Sequence, residues 1–124
     1  MHKLYDFIEA RERLTTVVVK TKLIHSPVFS EESGNEIYLK PENLQKTGSF
    51  KIRGAYNKIA KLTEEEKKKG VIASSAGNHA QGVAYAAKRL GIKAVIVMPK
   101  HTPLIKVEAT RKYGAEVVLH GEVY

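Results

Sequence analysis

The sequence predicts an α/β fold: an open, mainly parallel, twisted sheet with helices on both faces, in three αβα layers. Three observations carry this reading. Short β-rich runs at residues 36–40 (EIYLK), 71–74 (VIAS), 93–98 (KAVIVM) and 116–119 (EVVL) alternate with helical stretches at about 49–62, 78–90 and 103–113. Gly70, Gly91 and Gly114 close helical stretches in C-cap position. The stretch 78–90 repeats Ala80, Val83, Ala84, Ala87 and Leu90 at helical spacing. Alternation of this kind is βαβ grammar, and βαβ units build parallel sheets covered by helices.

In chain order, residues 3–14 (KLYDFIEARERL) form a helix with Leu4, Phe7, Ile8 and Leu14 on its apolar side. Residues 15–34 favour extended structure through their β-branched content, and Pro27 interrupts it. The helix at 49–62 takes Ser49 as N-cap and buries Phe50, Ala55 and Ile59. "TEEEKKKG" (63–70) is a helical turn ended by glycine. The helix at 103–113 opens with Thr102 as N-cap and Pro103 at the first helical position.

A chain of 124 residues, 43% hydrophobic and 27% charged, has the composition of an ordinary soluble globular domain. No apolar run approaches the roughly 20 residues of a membrane span, and the N-terminus lacks a signal-peptide apolar core, so a cytoplasmic protein without membrane contact is expected. The absence of cysteine excludes disulfides, thiolate nucleophiles and Cys-based zinc sites. The net charge of +8 is spread among glutamates without a recognition motif, so no nucleic-acid partner is expected.

Ligands of open parallel sheets bind at the carboxyl ends of the strands. The loops expected there hold Ser49, Phe50 and Lys51; "SSAGNHAQG" at 74–82; and Pro99, Lys100 and His101. Lys51 stands in the first turn of its helix, where the macrodipole disfavours a cation by roughly 0.3 to 1 kcal/mol. Helix start and partial burial beside Phe50 would both lower its pKa and make it a nucleophilic amine suited to a Schiff base. A surface lysine lying along Phe50 is the plainer alternative. In "SSAGNHAQG", Gly77 allows close backbone approach, Ser74, Ser75 and Asn78 offer polar groups, and the helix start offers N–H donors to a carboxylate or phosphate. Ordinary capping and turn chemistry would explain the same residues. His79, His101 and His120 lack metal-ligand spacing, so no metal is expected. No GxSxG, GxGxxG or P-loop motif is present.

Together, "KPENLQKTGSFKIRGA" (40–55), "SSAGNHAQGVAYAA" (74–87) and "VIVMPKHTPLIKVEATRKYGAEVVL" (95–119) resemble the N-terminal part of the threonine dehydratases, or threonine ammonia-lyases. These belong to the tryptophan-synthase-β-like, fold-type-II enzymes that use pyridoxal 5'-phosphate. The resemblance runs from about Leu4 to the end of the chain. It implies that Lys51 is the catalytic lysine holding the cofactor as a Schiff base, that Phe50 lies beside the pyridine ring and that Asn78 binds the ring hydroxyl. It implies that Ser75, Ala76, Gly77, Asn78 and His79 receive the substrate carboxylate.

The activity implied is α,β-elimination of L-threonine to 2-oxobutanoate and ammonia, a lyase reaction of amino-acid metabolism such as isoleucine biosynthesis. Serine racemases and serine dehydratases are similar too. The racemases typically carry serine before the loop glycine, where this chain has Ala76. A non-catalytic α/β interaction module is the reading from a different class. The resemblance further implies that residues 46–124 form the small domain and that residues 1–45 pack on a larger, phosphate-binding domain absent from these residues. A chain alone with little activity, and self-association into a homo-oligomer, are expected on that basis.

Overall fold

The structure is a computed structural model that describes residues 2–123. Helix α1, Leu4–Leu14, is followed by strand β1, Ile24–His25, helix α2, Pro27–Ser33, and strand β2, Tyr38–Leu39. A 3-10 turn at Glu42–Leu44 leads to α3, Lys51–Ala60, and α4, Glu64–Lys69. The remainder alternates: β3 Val71–Ser74, α5 Asn78–Arg89, β4 Ala94–Met98, α6 Leu104–Lys112 and β5 Glu116–Leu119.

The three later strands form a parallel sheet in the order β3-β4-β5, as the βαβ pattern requires. The run at 36–40 does not join it. Its paired part is β2 alone, which lies antiparallel to β1 with Ile24 opposite Leu39. The extended reading of 15–34 also fails in part, because Pro27 starts α2 at a first-turn position that needs no N–H, and Ser26 caps it. Gly34 closes that helix at φ 65°.

The two crossovers advance in the same direction across the sheet. Right-handed connections then put α5 and α6 on one face, and burial agrees. Ala94, Ile96 and Met98 are buried in a core with Ala80, Val83, Ala84, Ala87 and Val107. The opposite face carries Ile72, 73% exposed, beside Val95, and Val97 beside Val118. A second helical layer is therefore not supplied by the described residues, and α3 packs onto α5 instead of covering that face.

Two helix starts lie one residue from their expected places. Phe50 occupies the N-cap position of α3 and Pro103 that of α6, so neither Ser49 nor Thr102 caps. Their hydroxyls are buried without a partner. Within α3 the buried residues are Ile52, Ala55 and Ile59, while Phe50 is exposed. In α1 only Leu14 of the expected apolar side is buried, and Leu4 and Phe7 face outward.

The leading segment is nonetheless tied to α3. Arg13 donates to the Asn57 side-chain oxygen at 2.9 Å. Arg53 donates from Nε and a terminal nitrogen to the two Glu42 carboxylate oxygens at 2.8 and 2.9 Å. The buried Gln45 amide accepts from Val19 N–H and donates to Val19 carbonyl, mimicking a strand pair.

Candidate active site

Lys51 is the first residue of α3. The turn before it is held from several sides: Gly48 adopts φ 69°, its N–H donates to the Gln45 carbonyl, and the Tyr113 hydroxyl donates to the Lys46 carbonyl at 2.9 Å. The Glu42–Arg53 pair pins the first turn of the helix from the side of the 3-10 turn.

What brings Lys51 to the loop at 75–79 is Gly82 rather than a strand of the sheet. A Cβ on Gly82 would stand 3.1 Å from the Lys51 carbonyl carbon and 3.3 Å from the Ile52 nitrogen. A side chain at that position would push the α3 start away from α5. Gly82 therefore sets the position of the α3 start, a role that sequence reasoning missed. Its signal was present: a glycine one turn into an alanine-rich helix, where backbone approach is the usual reason for the residue.

The partial burial expected for Lys51 is not found. Its side chain is exposed, and Nζ lies 5.1 Å from the centroid of the exposed Phe50 ring. That is cation–π distance. The ammonium makes no hydrogen bond or ion pair among the described residues, so its amine is accessible with an aromatic face beside it.

The loop after β3 is anchored at one end, where Ser75 N–H donates to the Val97 carbonyl. Ser75 Oγ accepts from Gly77 N–H at 3.3 Å, which is turn chemistry. Gly77 then caps α5 with extended backbone, φ −124°, so its conformation demands no glycine. The space a side chain would fill there is open, with nothing within 4 Å. Asn78, His79 and Ala80 open the helix, and first-turn N–H groups have no intrahelical acceptor. Asn78 and His79 are exposed at this opening. The structure thus gathers Ser75, Ala76, Gly77, Asn78 and His79 at one helix start, one turn before the point where Gly82 meets the Lys51 backbone.

His101 is drawn elsewhere, into an exposed contact with Glu122 at 2.6 Å that Lys100 shares at 3.5 Å. A cleft beside the loop is lined by Ser74, Ser75, Ala76, Gly77 and Lys106. Lys106 had not been singled out from sequence.

An accessible lysine at a helix start, an aromatic neighbour and first-turn N–H groups after a parallel strand are groups that a carbonyl cofactor can use. The chain belongs to the pyridoxal-phosphate dependent enzyme family, whose pattern matches residues 14–124. It is 61% identical over 124 residues to an L-threonine ammonia-lyase of Thermotoga maritima, covering all of this chain and 31% of that protein. It is 57% identical over 117 residues to the L-threonine dehydratase catabolic TdcB of Escherichia coli (strain K12), covering 94% and 36% respectively. The structure superposes on the serine racemase of Dictyostelium discoideum with a TM-score of 0.91 at 44% identity, covering 96% of this chain and 39% of that one. The chain thus spans about a third of the length of these relatives.

Pyridoxal phosphate is the family's cofactor. The residues present fit its aldehyde and ring: an accessible Lys51 side chain with the Phe50 ring face beside it.

Proposed function

We propose that this chain is the lysine-bearing lobe of an L-threonine ammonia-lyase, which converts L-threonine to 2-oxobutanoate and ammonia. The observation that carries the proposal is the placement of Lys51 against Gly82, one turn from the donor loop. The names of relatives 54–61% identical over nearly the whole chain support it.

In this reading Lys51, Phe50 and Asn78 hold the cofactor, and the groups of Ser75, Ala76, Gly77, Asn78 and His79 hold the substrate carboxylate. Bound pyridoxal phosphate supplies an electron sink for charge developing at the substrate α-carbon. With the cofactor bound, the neutral Lys51 amine would be the base that takes the α-proton at Nζ. Loop N–H groups orient the carboxylate so that the α-proton faces that amine. The β-hydroxyl would leave with a proton as water, and hydrolysis of the released enamine by water would give 2-oxobutanoate and ammonia.

Residues 46–124 act as a small domain, and residues 1–45 lie against a further, phosphate-binding domain of the whole enzyme. The whole enzyme works as a cytoplasmic homo-oligomer. Serine racemisation is a second reading, favoured by the Dictyostelium match. Ala76 argues against it, since racemases of this type resemble one another in carrying serine there.

Incubation with pyridoxal phosphate, borohydride reduction and peptide mass mapping test the proposal. The pyridoxyl mass should concentrate on Lys51, and Lys51→Ala should abolish the imine absorbance. Labels spread evenly over the chain's lysines would sink it, leaving the non-catalytic module.

A further inference from the structure

We infer that Tyr113 is a positioning residue for Lys51: its hydroxyl holds the turn at 46–50 from which the lysine projects. This rests on the reading that Lys51 binds the cofactor. Tyr113 is the C-cap of α6, and its hydroxyl donates to the Lys46 carbonyl at 2.9 Å, across 67 residues of sequence.

Three observations set this contact apart from an incidental surface bond. First, the turn does little to hold itself. Thr47 and Ser49 are buried, yet their hydroxyls have no partner, so the side-chain bonds by which threonine and serine fix turns are missing. The backbone contributes the Gly48 N–H, which donates to the Gln45 carbonyl at 2.8 Å. Second, Tyr113 is the only side chain that hydrogen-bonds residues 46–50 among the described residues. Third, the phenol is itself aimed. Its ring meets Tyr85 of α5 edge to face, with centroids 5.7 Å apart and planes at 80°, and Lys46 Nζ lies 5.9 Å from the Tyr85 centroid. Lys46 is thus held at its carbonyl from α6 and at its ammonium from α5.

The same helix meets the far end of the turn. Gly82 and Tyr85, three residues apart, share one face of α5, and Gly82 abuts the Lys51 backbone. Gly82 sets how near Lys51 comes to α5, and Tyr113 keeps the turn from sliding along that helix. Without the hydroxyl the Lys51 amine would sample more directions and lose part of its advantage over other lysines toward the cofactor aldehyde.

The test compares Tyr113→Phe with Tyr85→Phe in the 124-residue chain, at a temperature where circular dichroism shows both fully folded. Each change removes one phenolic oxygen, but the Tyr85 hydroxyl makes no hydrogen bond among the described residues. After limiting pyridoxal phosphate and borohydride, the pyridoxyl mass on Lys51 is taken relative to that on Lys58, an exposed lysine of the same helix. Amide hydrogen exchange of Gly48 is read on the same proteins. Tyr113→Phe should lower the Lys51 to Lys58 ratio about fivefold and speed Gly48 exchange by a similar factor, the effect of one hydrogen bond. Tyr85→Phe should leave both within about twofold of the parent. Faster Gly48 exchange with an unchanged ratio would make the bond merely structural and overturn the inference, as would an unchanged Gly48 rate or an equal fall in Tyr85→Phe. Each of these leaves Lys51 as the cofactor lysine. A parent chain that shows no preference for Lys51 overturns both readings.

Discussion

At the residue scale, two kinds of polar group surround Lys51, and they predict opposite outcomes. Glu42 is satisfied: hydrogen bonds from Arg53 first, then the Arg53 charge and a Thr21 hydroxyl bond, hold its carboxyl below the usual carboxylate value against the opposing effect of burial. A lowered carboxylate pKa stabilises the fold above the unfolded-state pKa of about 4.3 and loses that stabilisation as pH falls through the folded value. Arg53→Met should cost about 1 to 2 kcal/mol at neutral pH. It should also flatten the acid limb of a melting-temperature profile below about pH 4.3, as pH falls from the unfolded value toward the lowered native one. An unchanged acid limb would refute the assignment. Ser49, by contrast, is 7% exposed and its hydroxyl has no partner. Since an unsatisfied buried hydroxyl costs on the order of 1 kcal/mol, Ser49→Ala should leave the melting temperature unchanged or raise it. A clear loss of stability would show that the hydroxyl is bonded after all.

At the element scale, the approach of α3 to α5 at Gly82 sets where Lys51 sits. Alanine is worth about 0.5 to 1 kcal/mol over glycine inside a helix, but overpacking against neighbours that cannot move costs about 1 to 3 kcal/mol. The neighbours here are Lys51 and Ile52 backbone atoms, which a rotamer change cannot relieve. Gly82→Ala should therefore destabilise the chain by about 1 kcal/mol and lower the yield of cofactor label on Lys51. Higher stability with unchanged labelling would refute the close-packing argument. Elements of this kind mark the limit of what sequence showed. The parallel strands at 71–74, 93–98 and 116–119 and the helix at 78–90 were legible because periodicity and glycine caps are local. The pairing of β1 with β2 was not, because two-residue strands carry no periodicity and depend on a partner far along the chain. The place of Lys51 in the first turn of its helix was legible through its neighbours in "TGSFKIRGA", whereas Gly82 acts across space and acquires meaning only once α3 and α5 are placed.

At the scale of the whole molecule, the sheet is finished on one side only. Rows Ile72–Val95 and Val97–Val118 lie on the face away from α5 and α6, and β3 and β5 are the sheet's edge strands. Apolar residues on an uncovered face beside free strand edges favour association. The exposed Leu4, Tyr5 and Phe7 of α1 add a second apolar surface. The 124-residue chain by itself should therefore associate as its concentration rises, which sedimentation velocity would detect. Ile72 is the most exposed apolar residue of that face, at 73%. A substitution there should change association without a large cost to the core, since its side chain points away from Ala94, Ile96 and Met98. Ile72→Lys should shift the distribution toward monomer while keeping the unfolding free energy within about 0.5 kcal/mol of the parent. A chain that remains monomeric at high concentration would show that the bare face is tolerated in solution. Association unaffected by Ile72→Lys would move the contact to α1, where Phe7→Lys should then reduce it.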